Sequence, residues 1–164
     1  MTVTEITDLI DRSLFADLGY LDGEGRPQIR RVFCTWHRGI GGHLISTNTS
    51  SSHVRDILER REACLYFCDS ERFEGACLSG EAAVHFEREW KEMLWHPQDV
   101  MYYPGGVDDP DYCVIEFKAQ SARFYRADGK GTLSSGEIAE HDRGMNYRDG
   151  YAAYRAGEAR ISDR

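Results

Sequence analysis

LISTNTSSSHVRDILERREACLYF, residues 44–67, is the stretch of sequence that decides the fold. It begins with an apolar run and passes through eight consecutive hydroxyl, amide and imidazole side chains at positions 46–53. Apolar residues at helical spacing follow, and a strand-like run at residues 63–68 ends the stretch. Short apolar runs favour strands, whereas apolar residues three and four apart favour a helix. The stretch therefore predicts a strand, a helix and a strand, with a polar junction where the helix begins.

The same patterns extend outward from this stretch in both directions. They predict helices at residues 5–17, 51–60 and 87–95, and strands at residues 18–21, 28–36, 43–47, 63–68, 76–86, 113–118 and 121–126. Short strands joined mostly by turns favour an antiparallel barrel with helices outside it, a mainly β (α+β) fold. Gly80, in the middle of its strand, predicts a bulge or bend. Helical spacing predicts buried faces that carry Val54, Ile57, Leu58, Trp90, Met93 and Leu94.

Composition excludes several classes of partner. The chain has 164 residues, which predicts one compact core, and 28 acidic against 20 basic residues give a net charge of −8. An acidic surface disfavours nucleic acid. No apolar run approaches the roughly 20 residues of a membrane span, and the acidic N-terminus is unlike a signal peptide. The sequence therefore predicts a cytoplasmic protein with neither a nucleic-acid nor a membrane partner.

Cysteine and histidine residues give no pattern typical of a metal site. The five cysteines are odd in number and lie mostly in strand-like runs, where a free thiol behaves as a small hydrophobe. His37 and His43 flank a turn, which predicts an exposed pair rather than metal ligands. No metal site is expected.

The C-terminal part of the chain differs in composition from the rest. Residues 127–164 are rich in glycine and charge and poor in aliphatic side chains, and they contain three tyrosines. We therefore expect a barrel domain at residues 1–126 and an extension at residues 127–164. Two interpretations of the extension remain open: a mobile or partner-docked segment, or an arm that wraps a second subunit through its tyrosines.

The polar junction suggests an anion site. The first turn of a helix has unpaired N–H groups and a partial positive charge, and hydroxyls add further donors. The alternative is that these side chains only cap the helix and fill the loop. Arg30 and Arg31 lie in a strand-like segment with apolar neighbours, which predicts that one of them points inward. An inward arginine needs either an acidic partner or a ligand phosphate.

The order of several segments resembles a known family. GRPQIRRVF, LISTNTSSSHVRDI, ACLYF and LSGEAAVHF together resemble the pyridoxamine 5′-phosphate oxidase-like, FMN-binding split-barrel proteins. EMLWHPQDVMYYPGGVDDPDYCVIEFKAQSARFY is similar to the general-stress-protein branch of that family. The resemblance covers about residues 5–126. It implies a homodimer of six-stranded antiparallel split barrels with flanking helices and FMN at the subunit interface.

The resemblance also implies which residues hold the cofactor. Arg30 matches the family arginine that contacts the FMN phosphate, Ser46 and Thr47 match a strand-end pair near the flavin, and positions 51–53 match a Ser-Arg-Lys stretch that grips the phosphate. The candidate cofactor-binding residues are Arg30, Arg31, Val32, Ser46, Thr47, Ser51, Ser52 and His53. No catalytic side chain is identified.

Three positions depart from the family pattern. Ser52 and His53 stand where the family often has Arg-Lys, and Thr35 stands where pyridoxamine phosphate oxidase has a lysine. Losing two charge-assisted phosphate contacts weakens FMN binding by about 3–6 kcal/mol, partly offset by hydroxyl and backbone donors. Arg31 or Arg55 is a candidate for compensation. No segment matches the substrate-phosphate motif, so oxidation of vitamin B6 is not expected.

Two functions remain. The first is a flavoprotein, an FMN-dependent oxidoreductase that transfers hydride or electrons to a small molecule. The alternative is a non-catalytic dimer that binds flavin, haem or a deazaflavin, or a stress-related dimer that has lost its ligand. Resemblance of fold does not separate them.

Overall fold

The computed structural model describes residues 1–33 and 36–155. Cys34, Thr35 and residues 156–164 lie outside the described residues. The strands are β1 (Phe15–Leu21), β2 (Pro27–Phe33), β3 (Trp36–Arg38), β4 (Gly42–Asn48), β5 (Glu62–Asp69), β6 (Glu74–His85), β7 (Tyr112–Arg126), β8 (Gly129–Leu133) and β9 (Arg148–Asp149). The helices are α1 (Val3–Arg12), α2 (Ser52–Glu59), α3 (Arg88–Leu94), α4 (Ser135–His141) and α5 (Ala152–Arg155), with 3₁₀ helices at Pro97–Met101 and Gly106–Asp108.

All the strands belong to one antiparallel sheet in the order β2-β1-β5-β6-β7-β4-β3-β9, with β8 beside β7. β2 and β3 are consecutive in the chain but lie near opposite ends of this order. Because two residues separate them, and each residue spans at most about 3.6 Å, the sheet must curl until its ends approach. The predicted mainly β split barrel is confirmed. Its described strands exceed the expected six because β3, β8 and β9 are short additions.

The last two predicted strands form one strand, β7. In its pairing with β6, Gly80 lies opposite Ala119 and Ser79 lies opposite Ser121, so β7 contains one extra residue at this step. A side chain at Gly80 would place its Cβ 1.9 Å from the carbonyl oxygen of Lys118. The predicted bulge at this glycine is confirmed, and it interrupts the apolar alternation that suggested two strands.

The helices bury narrower stripes than their apolar patterns predict. α2 buries Val54 and Ile57, but Leu58 is 57% exposed, because His53 and Asp56 occupy the buried positions on its other side. In α3 Leu94 is buried, whereas Met93 is 43% exposed. The predictions that Leu58 and Met93 face inward are therefore wrong. A helix of about two turns lies on the sheet along one line only.

His37 and His43 are both fully buried, so the predicted exposed pair is wrong. They lie opposite each other across β3 and β4, with ring centroids 5.9 Å apart. His43 donates from Nε2 to the carbonyl oxygen of Ile40 (3.0 Å). Burial lowers the pKa of His43 to about 3, and burial is also the main cause of a lowered pKa at His37. Both rings are therefore neutral core groups at pH 7.

The described part of the C-terminal extension packs against its own barrel. β8 pairs with β7, and β9 pairs with β3. Between them, Asp142 accepts hydrogen bonds from the backbone N–H groups of Ile40 (3.1 Å) and Gly41 (2.5 Å). Wrapping of a second subunit by this segment remains a prediction. Among the described residues, no helix has the length and apolar character needed to cross a membrane.

Candidate functional site

A cavity of about 360 Å³ lies between β2 and β4. Five of the eight candidate cofactor-binding residues line it: Arg30, Arg31, Val32, Ser46 and Thr47. The cavity forms here because the curled sheet brings the exposed strand β2 opposite the buried strand β4 without hydrogen bonds between them. The gap of the split barrel is therefore the candidate binding site.

The β4 wall is fixed by strand pairing on both of its edges. β4 pairs with β3 on one side and with β7 on the other, and most of its residues are buried. Where it ends, Asn48 donates to Asp111 (2.9 Å), and the backbone N–H of Ser50 donates to the same carboxylate (2.7 Å). These hydrogen bonds, that of Asn48 first, lower the pKa of Asp111. The polar junction is thus held to the start of β7 by a charged group.

A chain of hydrogen bonds connects Arg30, His53 and Thr47. Nη1 of Arg30 lies 2.6 Å from Nδ1 of His53, and Nε2 of His53 lies 2.8 Å from Oγ1 of Thr47. A guanidinium only donates, so Nδ1 must accept and the ring proton must lie on Nε2. Nε2–H then donates to Thr47, whose own O–H has no other acceptor among the described residues. That O–H is available to a ligand in the cavity.

His53 contributes to this chain as a neutral ring. Burial, and secondarily the charge of Arg30, lowers the pKa of His53 to about 4. At pH 7 His53 therefore adds no positive charge to the site, and it positions Arg30 and Thr47. The full charge of Arg30 remains available, because its partner is uncharged.

Arg31 is already paired with an acidic side chain. Its Nε and Nη2 donate to the two carboxylate oxygens of Asp17 at 2.9 and 3.1 Å. The hydrogen bond that Arg31 donates to Asp17 is the main cause of the raised pKa of Arg31. The sequence left two partners open for an inward arginine, an acid or a ligand. Arg31 has the acid, whereas Arg30 has no acidic partner among the described residues.

The remaining candidate residues lie outside the cavity wall. Ser51 is the N-cap residue of α2 without a side-chain capping bond, and Ser52 is exposed. His53 stands behind the wall rather than in it, because it is buried beneath Thr47 and Arg30. Thr35, the position of the family lysine, is outside the described residues. Arg55 is exposed, with its nearest recorded partner Asp56 at 3.9 Å.

The C-terminal extension supplies two wall residues that the sequence did not indicate. Tyr151 and Arg155 line the cavity. The Tyr151 ring meets Phe33 edge-on at 5.2 Å, and the Arg155 guanidinium lies over the Tyr151 ring at 4.9 Å and pairs with Asp149. The tyrosines of the extension were the available signal. Their number suggested a contact surface but not which surface they would cover.

Aromatic side chains form much of the remaining wall. Tyr102, Tyr103 and Trp36 line the cavity. Tyr103 packs on Tyr112 with ring centroids 4.5 Å apart, and burial raises the pKa of Tyr103. Nε1 of Trp36 is buried and has no hydrogen-bond partner within residues 1–33 and 36–155. The cavity thus combines flat apolar surfaces with a few donors, which suits a planar anionic ligand.

Comparison with known proteins identifies the family. A family model described as pyridoxamine 5′-phosphate oxidase like matches residues 41–141, more than half of the chain. The chain is 34% identical to a protein from Clostridium acetobutylicum described as related to general stress protein 26 of B. subtilis, in the pyridoxinephosphate oxidase family. That match covers 83% of this chain and 96% of that one, with a TM-score of 0.76. No match was found among curated proteins.

Two more distant structures share the fold. General stress protein 26 from Bacillus anthracis is 15% identical over 80% of this chain and 97% of that one, with a TM-score of 0.67. A heme binding protein from Mycobacterium smegmatis is 17% identical over 85% of this chain and 61% of that one, also with a TM-score of 0.67. The extent of the family match and the identity to the Clostridium protein both lead to one conclusion: the chain belongs to the pyridoxamine 5′-phosphate oxidase-like family.

Proposed function

We propose that the cavity binds FMN and that the protein is a flavoprotein that transfers hydride or electrons to a small molecule. The observation that carries this proposal is the hydrogen-bonded chain of Arg30, His53 and Thr47. It leaves a charged guanidinium and a hydroxyl donor at the same end of the cavity. An arginine and a hydroxyl are suitable donors for phosphate oxygens, and each charge-assisted bond contributes about 1.5–3 kcal/mol.

The rest of the cavity fits a flavin ring. Its volume of about 360 Å³ is within the usual range of about 300–1,000 Å³ for small-molecule sites. Tyr102, Tyr103 and Trp36 offer flat apolar surfaces. Arg155 supplies a second cation at the wall, although Asp149 neutralises part of its charge.

The chain's own residues bind and orient rather than exchange protons. Bound flavin would supply hydride and electron transfer. Among the described wall residues, the carboxylate of Asp99 accepts from the backbone N–H of His96 (2.9 Å), and burial raises the pKa of Tyr103. The raised pKa keeps Tyr103 protonated near neutral pH, so it is not placed as a base. The protein's contribution would be to exclude water and hold the ring.

The described cavity wall offers no histidine or cysteine as an acid or base, which favours a second candidate, a protein that binds flavin without turnover. Haem fits the site less well than flavin. The described cavity wall contains no histidine, and both ring nitrogens of nearby His53 are already hydrogen-bonded to Arg30 and Thr47. A haem iron would need another axial ligand.

A homodimer is part of the proposal. Ile29 and Phe33 on β2 are 75% and 47% exposed, and Met101 next to the cavity is 73% exposed. Large apolar side chains that are exposed on and beside a cavity wall are typical of an interaction surface. A second copy that covers them would also close the open side of the site.

Titration of FMN with purified protein tests the proposal. Quenching of flavin fluorescence should show binding tighter than tens of micromolar, about −6 kcal/mol. Arg30→Ala should weaken binding by about 10- to 100-fold, the equivalent of one charge-assisted hydrogen bond. Arg31→Ala is the matched control on the same strand and should change binding less than about threefold, because Asp17 already pairs with Arg31.

Absence of binding at these concentrations, or equal losses for the two variants, would contradict the proposed site. Oxidation of NADH or NADPH by the FMN-loaded protein in the presence of small-molecule acceptors then separates the two candidates. Turnover supports the oxidoreductase, whereas binding without turnover supports the non-catalytic protein.

A further inference from the structure

The C-terminal extension connects the two ends of the sheet. β9 pairs with β3 at one end of the strand order, and β2 lies at the other end. Tyr151 follows shortly after β9, and its ring meets that of Phe33 on β2 with centroids 5.2 Å apart. Both side chains line the cavity. The extension therefore crosses from one end of the sheet to the other beside the candidate binding site.

The barrel surface under the extension is shaped to receive it. A Cβ at Gly41 would lie 2.8 Å from Oδ2 of Asp142, and a Cβ at Gly42 would lie 2.9 Å from Oη of Tyr147. Glycine permits such a close approach because it has no side chain. A larger residue at either position would require the extension to move. The close fit indicates that this part of the chain has a defined place on its own barrel.

Two acidic side chains hold the part that crosses to β2. Nη2 of Arg148 donates to both carboxylate oxygens of Asp11 on α1, at 2.7 and 3.0 Å. Asp149 accepts from the backbone N–H of Tyr151 (2.9 Å) and pairs with Arg155, whose guanidinium lies over the Tyr151 ring at 4.9 Å. The first contact fixes the extension to the barrel, and the second fixes the orientation of the Tyr151 ring.

Strand pairing shows which end of the cavity Tyr151 occupies. Trp36 on β3 lies opposite Asp149 on one side and opposite Leu44 on the other. Leu44 precedes Thr47 on β4 by three residues, and a rise of about 3.3 Å per residue separates them by roughly 10 Å. Tyr151 therefore lies at the end of the cavity away from the hydroxyl of Thr47. A ligand whose phosphate lies at Thr47 would have its ring system near Tyr151.

We propose that residues 148–155 are a clasp that joins the two ends of the sheet beside the cavity, and that Tyr151 contacts the ring system of the bound ligand. The ring contact rests on the proposed function, because it takes the ligand to be a flavin with its phosphate at Arg30. Aromatic rings attract each other in offset or edge-on arrangements. Tyr151 would thus contribute equally to the binding of any flavin, with or without a phosphate.

Fluorescence titration with FMN and with riboflavin, which lacks the phosphate, tests the ring contact. Tyr151→Ala should weaken the binding of both flavins by about three- to tenfold and leave the ratio of their affinities unchanged. Tyr151→Phe should regain most of the loss, because it keeps the ring. Arg143→Ala is the control, since Arg143 is an exposed residue of the same extension. A loss for FMN alone, or no loss for either flavin, would overturn the ring contact.

Hydrogen exchange of the ligand-free protein tests the clasp without any flavin. The amides of Tyr151 and Arg155 are both hydrogen-bonded in the clasp. Arg148→Ala removes one surface ion pair, so these amides should exchange about two- to fivefold faster, whereas Arg143→Ala should leave them unchanged. Phe33→Ala should also speed their exchange, because it removes the contact across the sheet ends.

The two measurements separate failure of the clasp from failure of the proposed function. Wild type that binds neither flavin would overturn the proposed function together with the ring contact, and hydrogen exchange would then decide on the clasp alone. Wild type that binds FMN but exchanges the amides of residues 149–155 as fast as an unfolded chain would overturn the clasp and leave the proposed function standing. That second result is measured on wild type, so it does not depend on the folding of any variant.

Discussion

The two faces of β2 use the same side chain in opposite ways. Arg30 and Arg31 are consecutive and both border the cavity. Arg31 forms two hydrogen bonds with Asp17, whereas Arg30 bonds to the neutral ring of His53. One charge is cancelled within the protein, and the other is positioned without being cancelled. The partner, not the arginine itself, therefore decides which positive charge stays uncompensated within the described protein.

The largest expected effect is on stability, and it follows removal of His53, the hydrogen-bond partner of Arg30. His53→Ala removes a buried ring and both of its hydrogen bonds, so we expect the free energy of unfolding to fall by about 2–4 kcal/mol. Urea unfolding measures this loss. Leu58→Ala, an exposed position on the same helix, should change it by less than about 0.5 kcal/mol. Equal losses would show that His53 is only a helix surface residue.

Acid should reduce the contribution of His53 to the free energy of unfolding. The pKa of His53 is lowered to about 4 from a usual value near 6.5, so the unfolded chain takes up the proton first as pH falls. Its stabilising contribution is complete above pH 6.5 and is lost between pH 6.5 and pH 4. The lowered pKa values of His43 and His37 act in the same direction.

Replacing the ring isolates its share of this pH dependence. His53→Gln should reduce the slope of unfolding free energy against pH in that window by up to about 1.4 kcal/mol per pH unit. Urea unfolding at a series of pH values measures the slope. An unchanged slope would mean that His53 takes up its proton at the same pH in the folded and the unfolded protein. Nδ1 of His53 would then not be an acceptor for Arg30 in that pH range.

A smaller effect, on FMN affinity, is expected at Thr47, which ends the hydrogen-bonded series Arg30–His53–Thr47. Thr47→Val keeps the shape but removes the hydroxyl, so FMN binding should weaken about five- to tenfold, the equivalent of one hydrogen bond. Fluorescence titration measures it. Ser52→Ala is the comparison variant. Family resemblance places Ser52 at the phosphate, but Ser52 does not line the cavity. A larger loss for Ser52→Ala than for Thr47→Val would contradict the cavity assignment.

The smallest effect on FMN affinity is expected from a change at Asp17, the partner of Arg31. Asp17→Asn removes the charge that pairs with Arg31, yet FMN affinity should change less than about threefold, because Arg31 is directed toward Asp17 rather than the ligand. The same titration measures it. A clear gain in affinity would show that Arg31 reaches the phosphate once it is released from Asp17. The two arginines would then differ only in whether an acidic side chain already pairs with them.

The sequence predicts the fold well because its apolar patterns are local. The polar junction before α2, the bulge at Gly80 and most strand positions follow from spacing and turn residues. The division of labour between Arg30 and Arg31 does not follow, since strand alternation shows only that they point to opposite faces. Their partners, Asp17 on β1 and His53 on α2, are brought close by tertiary packing.

The wall residues of the extension were missed for a related reason. Tyr151 and Arg155 reach the cavity because β9 adds to β3, and a two-residue strand has no periodicity to detect. The burial of His37 and His43 is likewise not predictable from local spacing, because it depends on segments that are distant in the sequence. The covering segments around β3 come from distant parts of the chain, α1 and β9, so a turn that looks exposed in sequence becomes core.

We propose that Arg30 holds the phosphate of a bound flavin. The most direct test compares FMN with riboflavin, which lacks the phosphate, on wild type and Arg30→Ala. We expect wild type to prefer FMN by about tenfold or more, and Arg30→Ala to bind riboflavin as wild type does while losing most of that preference. An unchanged ratio of the two affinities in Arg30→Ala would show that Arg30 does not hold the phosphate.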